Sequence, residues 1–265
     1  MYTESERQNT LDKVCSLIIE IPYVEGLIVV GSGANGFKDV WSDIDLCVVC
    51  NDNETKSTWE KLTAIVLGNF KIQRHQLNEY GDSNYLTIFL LENWLQIDMG
   101  VISLENLVAK RKLWNVVYDK TGLVKKKMEG TWNAQKKSID KETVVKDSLD
   151  SVWYYLQNAV NSFNRGRQLR LYHELSELRE RSSSLLGDMY ELDMKHFRDV
   201  DSLNSKILTS IKETYPTSFD RKELARAVVG SCSLYFSTIK LFGVMIHEIE
   251  ELESSVKKYL SETVC

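Results

Sequence analysis

Three aspartates and a Gly-Ser turn are the residues of this chain whose types and spacing are suited to chemistry. In the stretch LIVVGSGANGFKDVWSDIDLCVV, residues 27–49, an apolar run from Leu27 to Val30 is broken by Gly31 and Ser32, with Gly33 and Gly36 close behind. Glycine lets backbone N–H groups approach an anion, and a serine hydroxyl adds a donor, so the turn is suited to a phosphate. Asp43 and Asp45 then alternate with Ile44 and Leu46. On a strand, side chains two apart share a face at about 6–7 Å, so the two carboxylates point together and repel unless a cation sits between them. Oxygen ligands of this kind suit Mg²⁺, which takes one or two carboxylates and completes its shell with water and substrate phosphates. A phosphate cradle beside a seat for a divalent metal suits a nucleoside triphosphate.

A third acid lies further on. In WLQIDMGV, residues 94–101, Leu95, Ile97, Met99 and Val101 form an apolar face, and Asp98 lies with Gln96 on the other, away from the core. Asp-x-Asp alone or Gly-Ser alone is a common turn signal. Their order carries the reading: strand, Gly-Ser, a short glycine-containing link, Ser-Asp-x-Asp, strand.

Gly31-Ser32 followed by Ser42-Asp43-Ile44-Asp45-Leu46 resembles the signature of the DNA polymerase β-like nucleotidyltransferase superfamily. The resemblance implies transfer of a nucleoside monophosphate from a nucleoside triphosphate to an acceptor, with Mg²⁺ held by three carboxylates. It assigns Asp43 and Asp45 to the metal. It brings Asp98 into the site either as a third metal ligand or as the base that takes the acceptor's proton, with the base favoured. The stretch VVYDKTGLVKKKM, residues 116–128, resembles the end of the catalytic domain in lincosamide and aminoglycoside nucleotidyltransferases. Many relatives carry a basic residue between the Gly-Ser and the second glycine, where this chain has Asn35. Lys38 or arginines further along are therefore expected to help with the triphosphate charge.

The elements that must position these residues follow from periodicity. The chain of 265 residues, 43% hydrophobic and 27% charged, is long enough for two modest folded domains. An amphipathic helix is expected over residues 5–20. A second, with Trp59, Leu62, Ile65 and Val66 on its buried stripe, is closed by Gly68. Strand segments follow at 70–79 and 84–101, with a turn at Glu92-Asn93. Ser103 is expected to cap a short helix with Leu104, Leu107 and Val108, before a last strand from Trp114 to Tyr118. This is an α/β (α+β) domain with a small mixed sheet, spanning residues 1–124, and it carries the catalysis. Residues 125–141, rich in lysine, read as a linker.

Residues 142–265 are helical throughout and read as an all-α bundle closing the active-site cleft. One stripe runs from Val145 to Phe163, a second through Leu169, Tyr172, Leu175, Leu178 and Leu185, and a third from Val200 to Ile211. A last helix starts at Asp220 and Glu223 and continues to Ile246. Between the first two stripes, Arg165, Gly166 and Arg170 resemble the corresponding junction in lincosamide nucleotidyltransferases. The resemblance adds Arg165 and Arg170 to Gly31, Ser32 and Lys38 as nucleotide-binding residues.

A net charge of −5 argues against nucleic acid as the main partner, since such binding draws on clustered Lys and Arg, and fits a small cationic or neutral acceptor better. Five cysteines, no secretory leader and no apolar run long enough for a bilayer indicate a cytoplasmic protein. Cys47 and Cys50 face opposite sides of a strand and belong to the packing. The sequence thus reads as an enzyme that adenylylates a hydroxyl of a small molecule, using ATP and Mg²⁺ and releasing pyrophosphate. The lincosamide and aminoglycoside antibiotics are the acceptor classes the resemblance implies. The alternatives are a nucleotidyltransferase acting on a macromolecule, such as a toxin partner or tRNA, and a catalytically silent nucleotide-binding protein. A homodimer is compatible with the sequence.

Overall fold

The computed structural model describes residues 2–37, 39–81, 83–110, 113–135, 140–244 and 247–264. The chain divides into two compact units, Met1–Lys137 and Ser138–Cys265. The first is α/β and the second is built of helices.

The first unit opens with α1 (Glu4–Ile19). The Thr3 hydroxyl accepts from the Glu6 N–H while the Glu6 carboxylate accepts from the Thr3 N–H, a reciprocal cap that fixes where the helix begins. Its buried stripe is Arg7, Leu11, Val14 and Ile18. Six strands follow, β1 (Val24–Val30), β2 (Ile44–Cys50), β3 (Ile72–Glu79), β4 (Asn84–Leu91), β5 (Gln96–Ser103) and β6 (Trp114–Asp119), with α2 (Thr55–Asn69) between β2 and β3. They form one mixed sheet in the order β3-β4-β5-β2-β1-β6. Among the described residues only β2 and β5 pair in parallel, so their N-terminal ends lie at the same edge of the sheet.

Alternation sorts the side chains of the sheet. Leu27, Val29, Ile44, Leu46, Val48, Phe89, Ile97, Met99 and Val101 pack with α1 and α2. Ile28 and Val49 belong to a second cluster on the opposite face. Cys50 joins the first cluster and Cys47 packs against the second, as expected of residues three apart on a strand.

Four readings of the sequence are corrected. The segment read as a linker, 125–141, is largely helical: α3 (Leu123–Gln135) packs on the second face of the sheet through Val124 and Met128. The Asp119 carboxylate accepts from the N–H groups of Gly122 and Lys125 and so caps its start. Gly26 lets it lie close, since a Cβ there would stand 2.5 Å from the Val124 Cγ2. Ser103 caps no helix. It ends β5, and its hydroxyl accepts from the Asn106 N–H in a turn.

In the second unit, α4 (Lys141–Asn164) buries Val145, Leu149, Val152, Leu156, Ala159 and Phe163 as the periodicity predicts. Then α5 (Gln168–Tyr190) buries Leu171, Leu175, Leu178 and Leu185, whereas Leu169 and Tyr172 are 79% and 37% exposed. Gly166, with φ of 65°, breaks the chain between the two helices, and the phase of α5 starts afresh at Gln168. After α6 (Ser205–Glu213), α7 (Arg221–Leu241) ends before Gly243, and α8 (His247–Thr263) adds Ile249, Val256 and Leu260 to the bundle core. The last stripe thus falls on α7 and its cap Phe242, the helix ends at Leu241, Ile246 lies outside the described residues, and α8 is a further helix that the sequence reading did not separate. Among the described residues no helix is long and apolar enough to cross a membrane.

Candidate active site

Asp43, just before β2, Asp45 on β2 and Asp98 on β5 converge, each offering a carboxylate oxygen such that these oxygens lie within 4.8 Å of one another. The parallel ladder does this directly, because Asp45 and Asp98 are register partners. All three are partly exposed, so a ligand can reach them while the strands beneath stay packed. Burial pushes the Asp98 carboxyl above the ordinary carboxylate range, a hydrogen bond from the Gln96 amide (Nε2 to Oδ1, 2.8 Å) pulls it back, and the charge of Asp43 raises it again. Three carboxylates this close suit a hard divalent cation, which would relieve their mutual repulsion.

The Gly-Ser turn lies against the acids. Gly31–Asn35 forms a short 3₁₀ turn at the end of β1, with Gly31 at φ of 66° and Ser32 exposed. A Cβ on Gly31 would stand 2.7 Å from Asp45 Oδ2, so only glycine allows the turn and this carboxylate to lie together.

The link from this turn to Asp43 is fastened from α1. The Ser42 carbonyl, immediately before Asp43, accepts from Arg7 Nη1 and from the Tyr2 hydroxyl, both at 3.1 Å. The Arg7 guanidinium, in a side chain only 2% exposed, lies over the Phe37 ring at 3.9 Å. The Asp39 carboxylate accepts from the Trp41 and Ser42 N–H groups at 2.7 and 2.9 Å and from the Ser42 hydroxyl at 3.1 Å. These bonds, Trp41's foremost, hold Asp39 below the usual carboxylate range, with Arg7's charge adding to them. Arg7, Tyr2 and Asp39 escaped the sequence reading, which placed Gln96 on the face of Asp98 without giving it a role. The available signal for Arg7 was its place on the stripe of Leu11, Val14 and Ile18.

Of the other expected residues, Lys38 lies outside the described residues. Arg165 and Arg170 belong to the second unit, where both are exposed and Arg170 Nε donates to the Glu174 carboxylate at 3.2 Å.

Residues 8–121 match the family described as the nucleotidyltransferase domain. No curated protein sequence matches the chain. Among solved structures, it is similar to an aminoglycoside 6-adenyltransferase from Bacillus subtilis, at 15% identity and a TM-score of 0.46 over 100% of both chains. It is also similar to a nucleotidyltransferase-like protein from Exiguobacterium sibiricum, at 11% identity and a TM-score of 0.37 over 89% of this chain and 77% of that one. A cytoplasmic RNA terminal U-transferase matches at 20% identity and a TM-score of 0.29, over 37% of this chain and 30% of that one. These structural likenesses are loose, and the assignment rests on the matched domain and its acids. Such enzymes use a nucleoside triphosphate, an acceptor and a divalent metal, and the acid cluster fits that metal. The first unit carries a nucleotidyltransferase domain over residues 8–121.

Proposed function

We propose that the protein transfers AMP from ATP to a hydroxyl of a small molecule, an antibiotic of the lincosamide or aminoglycoside type, with release of pyrophosphate. The observation that carries the reading is the convergence of Asp43, Asp45 and Asp98 beside the Gly31–Ser32 turn. Mg²⁺ on Asp43 and Asp45 would neutralise the triphosphate and stabilise the charge that develops on its oxygens. The turn's backbone N–H groups and the Ser32 hydroxyl hold the phosphates. Asp98, on the strand paired with that of Asp45, takes the proton of the acceptor hydroxyl. The acceptor oxygen then bonds to the α-phosphorus as the bond to pyrophosphate breaks in line with it.

The test is incubation of the purified protein with α-labelled ATP, Mg²⁺ and a panel of lincosamides and aminoglycosides. Label on a panel member with stoichiometric pyrophosphate supports the reading. Label on protein or tRNA, or none anywhere while ATP binds, overturns it.

A further inference from the structure

We infer that the acceptor is seated on the β3–β4 part of the sheet, and that this seat suits an uncharged or singly charged hydroxylated molecule with an apolar side, such as an alkylated glycoside, in preference to a polycation. The inference rests on the transfer reaction proposed above and chooses between its acceptor classes.

Register lays out the surface. Gln76 pairs with Ile88, Ile88 with Asp98, and Asp98 with Asp45, so one row of cross-strand partners runs from the sheet edge to the acids. Partners in a row share a face. The flanking rows are Arg74, Leu90 and Gln96 on one side and Asn78, Leu86 and Gly100 on the other. The neighbours of Asp98 away from the other acids are thus three aliphatic side chains, Leu86, Ile88 and Leu90. They are partly exposed and join none of the hydrophobic clusters, while Phe89 and Leu91, which alternate with them, are buried in the α1–α2 core. An aliphatic strip left half open beside a proposed base is where an apolar substrate face gains from burial.

The strip has a polar border. Gln76 Nε2 donates to Asn78 Oδ1 at 2.8 Å, and Asn78 Nδ2 is a buried donor without a hydrogen-bond partner. That donor matches a hydroxyl or ring oxygen. Among the described residues of this face on β3, β4, β5 and β2, Arg74 is the only charge apart from Asp45 and Asp98. A molecule with several ammonium groups would meet a guanidinium there, and no carboxylate beyond those proposed for metal and base.

Calorimetry in the presence of Mg²⁺ and a nonhydrolysable ATP analogue tests the seat, with lincomycin as the singly charged alkyl glycoside and kanamycin A as the polycation. Lincomycin binds the native protein more tightly than kanamycin A. The double variant Ile88→Thr/Leu90→Thr, which keeps a strand-compatible shape, weakens lincomycin roughly tenfold while the ATP analogue binds as before. Leu90→Glu strengthens kanamycin A. Gln76→Ala, at an exposed position, repeats the lincomycin measurement if the double variant melts early, and it too weakens binding. Tighter binding of kanamycin A than of lincomycin by the native protein, no lincomycin binding, or lincomycin binding unchanged in the variants overturns the seat. Lincomycin that binds and responds to the variants, yet receives no label from ATP, overturns the transfer reaction and leaves the seat standing.

Discussion

Asp45 of β2 and Asp98 of β5 are register partners in the parallel ladder at the centre of the sheet. Backbone hydrogen bonds, not a loop, bring these two acids side by side. A slip of one residue would turn Asp98 into the α1–α2 core and Ile97 out of it, so the burial of Ile44, Ile97, Leu46 and Met99 in the flanking pairs locks the register. Groups carried on packed strands are held more accurately than groups on loops.

Asp43→Asn and Asp45→Asn keep the side-chain shape and remove a charge. Loss of a metal ligand lowers transfer by about a hundredfold or more, taking the smaller losses typical of second-sphere partners as the floor. In the metal-free protein Asp43→Asn relieves repulsion within the 4.8 Å cluster, so its melting temperature does not fall. The rise on adding Mg²⁺–ATP shrinks. Thermal melts with and without Mg²⁺–ATP, run beside the transfer assay, check both outcomes, and full activity in both variants rejects the metal assignment.

Asp98→Asn separates base from ligand. A base lost to an amide abolishes turnover and leaves Mg²⁺–ATP affinity nearly unchanged, whereas a ligand lost weakens both. Gln96→Leu tests the electrostatics independently. The Gln96 hydrogen bond favours the charged form of Asp98, so its removal moves an already raised pKa further up in the metal-free protein. Carboxyl-carbon NMR over about pH 3 to 7, a range centred above the ordinary carboxylate value, reads the shift. A pKa that stays put or drops in Gln96→Leu contradicts this account.

Gly31→Ala and Ser32→Ala probe neighbouring atoms in different ways. Alanine at φ of 66° is strained, and its Cβ would press on Asp45 Oδ2, so Gly31→Ala costs about 1–3 kcal/mol of stability and displaces the Asp45 carboxylate. Activity falls with it. Ser32→Ala leaves the fold alone and raises the nucleotide KM roughly tenfold, because one phosphate donor is lost. A nucleotide KM and kcat that match the native values in Ser32→Ala count against the phosphate role.

The acid faces of β2 and β5 were legible because a period of two labels every residue by side. Which strand Asp98 pairs with was not, since the crossover through α2, β3 and β4 decides it and no local residue in β5 names its neighbour. Family resemblance filled that gap. Helix α3 was hidden by its composition: Val124 and Met128 sit one turn apart, but Lys125, Lys126, Lys127 and Gly130 around them look like a tether. The role of Arg7 could not be read, because its partner is a backbone carbonyl 35 residues away, and sequence does not mark carbonyls.

The cysteines give a prediction about the whole fold. Burial raises the thiols of Cys15 and Cys50 to about 11 and those of Cys47 and Cys232 to about 12. At neutral pH they stay protonated and react slowly with iodoacetamide in the folded protein, and quickly after unfolding. Above the unfolded value of 9.0 the unfolded chain ionises while the folded one holds its protons, so stability declines as pH climbs from 9 through about 12. Mass spectrometry of labelled peptides checks the first outcome, and fast native labelling at Cys47 and Cys50 would restore a redox reading of their spacing.

Arg7 is the residue through which α1 reaches the site, and its removal separates positioning from folding. Arg7 Nη1 and the Tyr2 hydroxyl share the Ser42 carbonyl, one bond removed from Asp43, and the guanidinium stacks on Phe37 in the same link. Yet the side chain is almost wholly buried, and its Nε has no hydrogen-bond partner. Burying a guanidinium is costly, so an apolar side chain of similar length loses little stability and can gain some. Arg7→Met therefore changes the melting temperature by a few degrees at most, within about 1 kcal/mol. It raises the Mg²⁺ concentration needed for half-maximal transfer by about tenfold, because Asp43 is less firmly placed. Arg7→Lys keeps a donor and recovers part of the loss. A Mg²⁺ requirement that is native in Arg7→Met, or a fall in activity that tracks unfolding alone, shows that Arg7 serves the helix and not the acids.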